Sequence, residues 1–409
     1  MKTNYEELYN QRKERLDRAT NLKVPDRVPA IGEFGFFSAT YGGITHHEFL
    51  FDYEKAEEAV VKTAVDFGYD TGGSVGRLGG LPFTLAFLND FDGLPPMYVN
   101  GPINDILGVR YARFPGRELA ETSPFQFIGE EFMKADEYDE LIENPRKYLI
   151  ERLLPRTCKS LQDSESATAL ASMFKWGVES RKRGEATRKL TEKLASLGFP
   201  RYSKGFSYAP LDFIGDYLRD IKNVLLDTFR KPEKVKQAAI AVGALILEMN
   251  KVGAKSAEKG DRVFIPLHLN EYFSPKNYSE FYWPTLKQVV LDLVDLGLVP
   301  MIFYEGYHES HLETILELPK GKTVSKFEKT DLVKAKEVIG DHSCIIGGPS
   351  SSLFMGGTPA KMDEYVKSLL PDVMDGGGFI MSPAISIPGV AKPENVKALI
   401  DAVKKYGEY

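Results

Sequence analysis

Residues 283–306 read WPTLKQVVLDLVDLGLVPMIFYEG. Pro284 falls in what the pattern predicts as a first helical turn, and Leu286, Val289, Val290 and Leu293 follow at helical spacing. The run LVPMIFY (298–304) is short and apolar throughout, which predicts a buried strand. It stops at an acid, Glu305. A helix with one apolar face, then a strand apolar on both, is one repeat of a fold in which helices cover a parallel sheet.

The repeat recurs in both directions. RVPAIGEF (27–34), YDTGGSV (69–75), YSKGFSYA (202–209), RVFIPLHL (262–269), KTVSKF (322–327), SCIIGG (343–348) and GGFIMS (377–382) also read as buried strands. Helical faces lie between most of them: Ala56, Ala59, Val60, Ala64 and Phe67; Met362, Tyr365, Val366 and Leu369 after the Thr358-Pro359 start; Val396, Leu399, Ile400 and Val403 at the end. Eight strands alternating with helices predict an α/β fold, a (β/α)8 TIM barrel. The segment at about 76–200 breaks the alternation. It carries the turn signals GLPP, NGPIND and FPGRE and the charged helical stretch ESRKRGEATRKLTEKLASLG. It reads as a long insertion after the second strand, within a single domain spanning 1–409.

Composition narrows the function. The chain has 409 residues, 43% hydrophobic and 27% charged, with a formal net charge of −6. No basic stripe is present, which speaks against nucleic acid. Cys158 and Cys344 fit neither a disulfide framework nor a thiolate zinc motif, which suggests a reducing cytoplasm. The polar start MKTNYEELYNQRKERL does not read as a signal peptide, and Asp292 and Asp295 interrupt the longest apolar stretch, so no membrane span is expected.

In this fold, chemistry gathers where strands end. Glu33 follows the first strand; His268, Asn270 and Glu271 follow RVFIPL; Glu305 and His308 follow LVPMIFY; Glu328 and Asp331 follow KTVSKF; Ser350 and its neighbours follow SCIIGG. Imidazole mixed with carboxylate suits zinc, and His268, Glu305 and His308 are the expected ligands. Gly306 lets the loop turn beside Glu305. His311 is expected to face solvent, and His46 and His47 to start a helix. GGPSSS could cradle a phosphate or simply turn the chain, and DGGG (375–378) reads as a helix-to-strand turn.

Several longer stretches resemble the uroporphyrinogen decarboxylase superfamily: LDRATNLKVPDRVPA (16–30), APLDFIGDYLRDIKNV (209–224), FSPKNYSEFYWPTLKQVVLDLVDLGLVPMIF (273–303), GTPAKMDEYVKSLL (357–370) and AKPENVKALIDAVKKYG (391–407). The resemblance implies a (β/α)8 barrel and two activities, decarboxylation and cobalamin-dependent methyl transfer. The decarboxylase branch carries an arginine-rich stretch after the first strand; here GEFGFFSATYGG has no arginine. Thiol-methylating members bind zinc through a His-x-Cys pair and a later Cys. Here these positions fall on Phe303, Glu305 and near Ile385. EFYWPTLK and ELPKGK resemble methyltransferase components of anaerobic O-demethylase systems. That implies methyl transfer from a methoxylated, aromatic substrate to the Co(I) of a separate corrinoid protein, with zinc activating the ether oxygen and the cobalamin carried by the partner. Glu271, Glu305 and Asp331 are then the expected catalytic residues. Glu33, Asn270, Lys326 and Ser350 are expected to bind the substrate. A homodimer is compatible with this reading. The alternative is a metal-independent decarboxylase or lyase acting on a small carboxylate.

Overall fold

A computed structural model describes residues 4–75, 78–88 and 98–409. The GLPP signal, at 93–96, lies outside them. The fold is α/β, with a principal sheet of six strands that follow one another in chain order: β1 (Ser203–Phe206), β2 (Arg262–Leu267), β3 (Val299–Tyr304), β4 (Val324–Phe327), β5 (Cys344–Gly347) and β6 (Phe379–Met381). β3 to β6 run parallel, with Phe303 beside Lys326, Lys326 beside Ile346, and Ile346 beside Ile380.

Six of the eight expected strands thus form. The first expected run makes one parallel bridge, Ala30 to Met381, flanked by the Ile31 N–H donating to the Met381 carbonyl at 2.8 Å. Pro29 has no N–H to give to a ladder, which keeps this segment short. The second run makes one backbone bond, from Asp70 N–H to Ala30 O at 2.9 Å. Gly72 and Gly73 follow, and Gly73 has a φ of +87°, outside the extended region. The first run therefore lies beside the last strand, the neighbour relation a barrel requires. Among the described residues the strands do not close into a ring.

The chain divides into two compact units. One comprises Met1–Gly76, Glu185–Lys204 and Val299–Tyr409; the other comprises Arg77–Gly184 and Gly205–Leu298. Most of the expected insertion therefore shares a unit with residues 205–298. The long helix Ala167–Ser196 passes from one unit to the other.

In the first unit, Ala56, Ala59, Val60 and Ala64 of helix Tyr53–Phe67 pack with Ala39, Phe49, Leu190, Leu194 and Phe199. Helix Pro359–Val373 buries Met362, Val366, Leu370 and Val373. Its face therefore runs through Leu370 rather than the expected Leu369, while Tyr365 is half-buried. The unit also holds a buried ionic node. Asp70 is fully buried and accepts Arg15 Nη1 at 2.7 Å, Arg27 Nη2 at 2.9 Å and the Ala30 N–H at 2.8 Å. It ties helix Tyr5–Thr20 to the first and second strand-like runs. DGGG turns as expected, with positive φ at Gly376, Gly377 and Gly378.

In the second unit, helix Trp283–Asp295 buries Leu286, Val289, Val290 and Leu293, the face read from the opening stretch. NGPIND is more than a turn: Asn100 caps helix Gly101–Leu107 by accepting the Ile103 N–H. No helix among the described residues is long and apolar enough to cross a membrane.

Candidate functional site

In the second unit, polar chemistry collects at the end of β2. The strand delivers His268, and two carboxylates meet it from the segment Pro210–Arg219. Asp212 lies in helix Pro210–Ile214 and Asp216 in the π-helical turn Gly215–Arg219 that continues it. Four residues apart, they share a face. Local widening of this kind recurs at functional sites. Asp212 is fully buried and pins the strand end, accepting the His268 N–H at 3.1 Å, the Leu269 N–H at 3.0 Å and the Tyr282 hydroxyl at 2.6 Å. Asp216 takes the imidazole: its Oδ2 lies 2.6 Å from His268 Nδ1 and accepts the Tyr208 hydroxyl at 2.5 Å. Burial pushes the Asp212 carboxyl up to about 7, and the charge of Asp216 adds to the rise, against the opposing pull of His268.

The result is an aspartate–histidine pair sealed on one side. Tyr208, Asp216 and Tyr282 are 4%, 3% and 1% exposed. The His268 side chain is 30% exposed. Asn270 is fully buried just beyond it, and Glu271 is half-buried in the short helix Asn270–Tyr272.

In the first unit, two expected substrate-binding residues do meet. Lys326, buried on β4, donates to Glu33 Oε2 and stands 4.5 Å from the centre of the Phe303 ring. β5 and β6 lie between β4 and the run that carries Glu33, so this ion pair reaches past two strands. Lys326 is 3% exposed and Glu33 31%. Glu33→Gln leaves a buried ammonium without its counter-charge. It is expected to lower stability by about 2–3 kcal/mol, below the full cost of breaking a sealed pair because Glu33 is partly solvated. A denaturant midpoint unchanged from wild type would contradict that role.

The other expected site residues have different places. Glu305 is half-buried, and Gly306 turns the loop with a φ of +67° while its N–H donates to Glu328 Oε2 at 2.8 Å. His308 is sealed, with its ring 4.1 Å from Tyr304, and its N–H donates to Thr330 Oγ1 at 3.0 Å. Burial, and then His311, hold its imidazole well below the usual range, so it is neutral. His311 does not face solvent: it is 3% exposed, its ring 5.2 Å from that of His308. Asp331 is exposed and caps helix Leu332–Ile339, accepting the Val333 and Lys334 N–H groups. Ser350 is exposed, with its hydroxyl 2.8 Å from that of Ser352. His46 starts helix His46–Phe51 as expected, behind a Thr45–Glu48 capping box.

Among the described residues no three or more His, Cys, Asp or Glu side chains are grouped to hold a metal ion. His308 is shut among aromatic rings. The Asp216 bond to His268 is of the kind that orients a metal-bound imidazole.

Asp212 and Asp216 were not singled out from sequence, although a signal existed. Both interrupt an apolar run, PLDFIGDYL, and an acid in a buried run must find partners.

Residues 185–406 match the family model described as Uroporphyrinogen decarboxylase (URO-D). No curated protein matches the chain. Among solved structures, a methyltransferase from Methanosarcina mazei matches with a TM-score of 0.63 at 15% identity, covering 97% of this chain and 98% of that one. A crystal structure of Dispersin B matches with a TM-score of only 0.30 at 11% identity, covering 55% of this chain and 77% of that one, and carries no argument.

Proposed function

The chain belongs to the uroporphyrinogen decarboxylase (URO-D) family, and from that premise we propose that it is a methyltransferase, moving a methyl group from a methoxylated aromatic substrate to the Co(I) of a separate corrinoid protein. The observation that carries this reading is the likeness of fold, from end to end, to the Methanosarcina mazei methyltransferase. The competing decarboxylase reading needs arginines to meet substrate carboxylates. The arginines buried among the described residues are engaged by the protein itself. Arg12 donates to the Gly198 carbonyl, Arg15 pairs with Asp26 and Asp70, and Arg219 pairs with Asp227 and Glu131.

The chemistry sets one demand on the chain. As the methyl carbon bonds to cobalt, the carbon–oxygen bond breaks and its electron pair stays on oxygen. A phenolate or alkoxide is a poor leaving group, and a proton delivered in the transition state removes that penalty. Glu271, half-buried after β2, is one candidate acid. Cobalamin, borne by the partner, would supply the nucleophile.

The test mixes the purified protein with methoxybenzenes and a Co(I) corrinoid protein. Loss of the Co(I) spectrum together with release of the matching phenol is expected. Carbon dioxide release from small aromatic acids, with no corrinoid methylation, would favour the decarboxylase instead.

A further inference from the structure

We propose that helix Ala167–Ser196 carries a self-association surface, and that its occupant is the same helix of a second copy of this chain, packed antiparallel about a two-fold axis at Phe174. The helix buries one face and leaves another bare. Ala169, Ser172 and Trp176 are buried, and the Trp176 ring lies 5.5 Å from that of Phe83. On the opposite side Leu170, Phe174 and Val178 follow at four-residue spacing, 60%, 70% and 52% exposed. Single apolar residues scattered over a surface are ordinary, whereas three large ones in one stripe mark a place of contact.

The order of residues says which partner fits. Leu170, Ala171, Phe174, Gly177 and Val178 run large, small, aromatic, small, large, the same from either end. A two-fold contact is isologous: where residue i of one copy meets residue j, residue j meets residue i. With Phe174 on the axis, Leu170 meets Val178 of the other copy and Ala171 meets Gly177. Gly177 is a second, independent sign. A Cβ there would meet nothing within 4 Å beyond its own helical turns, so no packing among the described residues calls for glycine. Glycine inside a helix costs about 1 kcal/mol against alanine. A helix arriving from outside gives its bareness a use, because the two backbones can then approach closely. Charge fixes the direction. Exposed Asp163 and Glu165 stand before the helix, and exposed Arg181 and Lys182 end the stripe. Antiparallel packing sets the acidic end of each copy beside the basic end of the other, whereas parallel packing sets like against like. Three large side chains per copy make a small interface, which points to a dimer of micromolar affinity rather than an obligate one.

The test is sedimentation velocity of the full chain from about 1 to about 200 μM, a span that brackets micromolar affinity. Wild type should pass from monomer to dimer across it. Phe174→Glu sets two like charges on the axis and should remain monomeric throughout. Gly177→Arg fills the place of closest approach and should do the same. Both positions lie on the bare face, so circular dichroism should match wild type, and the Gly177→Arg denaturation midpoint should be no lower. A charge exchange then tests the direction. Reversing the acids, Asp163→Lys with Glu165→Lys, should weaken association about ten-fold, and adding Arg181→Glu with Lys182→Glu should restore it. A wild type that stays monomeric over the whole range would overturn the proposal, and so would a dimer that Phe174→Glu leaves intact. Weakening that the second reversal does not restore would overturn the antiparallel arrangement.

Discussion

Asp70→Ala is expected to destabilise the first unit by about 3–5 kcal/mol, the range for removing one partner from a buried ion pair. Asp70 is fully buried, whereas the Arg15 and Arg27 side chains it serves are 10% and 13% exposed. Arg15 keeps a second carboxylate, since its Nε and Nη2 both donate to Asp26. Arg27 donates to Asp70 through both Nη atoms and otherwise to the Val28 carbonyl. Alanine thus strips Arg27 of its anion and removes the acceptor of the Ala30 N–H, on the segment that bridges to β6. Asp70→Asn keeps one acceptor and should cost less. The measurement is equilibrium denaturation of both variants. A loss below about 1 kcal/mol for the alanine variant would mean that water relaxes around the node and that burial here has been overvalued.

The helices were legible because their periodicity reports directly on which side faces the core. Leu286, Val289, Val290 and Leu293 are buried as their spacing demanded. The strands were legible where the chain offers an uninterrupted run of apolar side chains on a backbone that keeps its donors and acceptors. They thin out where Pro29 removes a donor and where Gly72 and Gly73 end the extended backbone. The division into two units has no local signature in the sequence, since the helix Ala167–Ser196 carries the chain across it without a break.

The site was legible in a different measure. Position at a strand end drew attention to His268 and Glu33, but position says nothing about a side chain's partners. His308 was read as a ligand on the loop after the strand and His311 as facing solvent. The chain instead turns into a 3-10 helix over Glu309–Glu317 with His308 just before it, and both rings are carried into the interior. Asp331 follows a strand but precedes a helix by one residue, so capping takes its carboxylate. Asp212 and Asp216 carry the reverse lesson. They stand in an apolar run, where a buried carboxylate must be met by donors, and His268, Tyr208 and Tyr282 are among them.

That burial gives Asp212 a pH signature. Its carboxyl is pushed up from the usual 3.8 to about 7, chiefly by desolvation. The folded protein therefore binds this proton more tightly than the unfolded chain between pH about 4 and about 7. The sign follows: Asp212's contribution is most favourable below about pH 4 and is lost as pH rises towards about 7, levelling off above it. The full change is on the order of 4 kcal/mol, at 1.36 kcal/mol per pH unit of displacement. Asp212→Asn cannot ionise, so it should lack this decline. It also carries a fixed cost, because an amide nitrogen replaces one of the two oxygens that accept from His268 N–H, Leu269 N–H and the Tyr282 hydroxyl. The variant should thus be the weaker protein at pH 4 and gain on wild type steadily up to pH 7. Denaturant titrations of the two proteins at intervals from pH 4 to pH 8 give the difference directly, and other carboxylates that titrate alike in both cancel. Parallel profiles would mean that Asp212 stays ionised throughout, held by its three donors more strongly than burial opposes them.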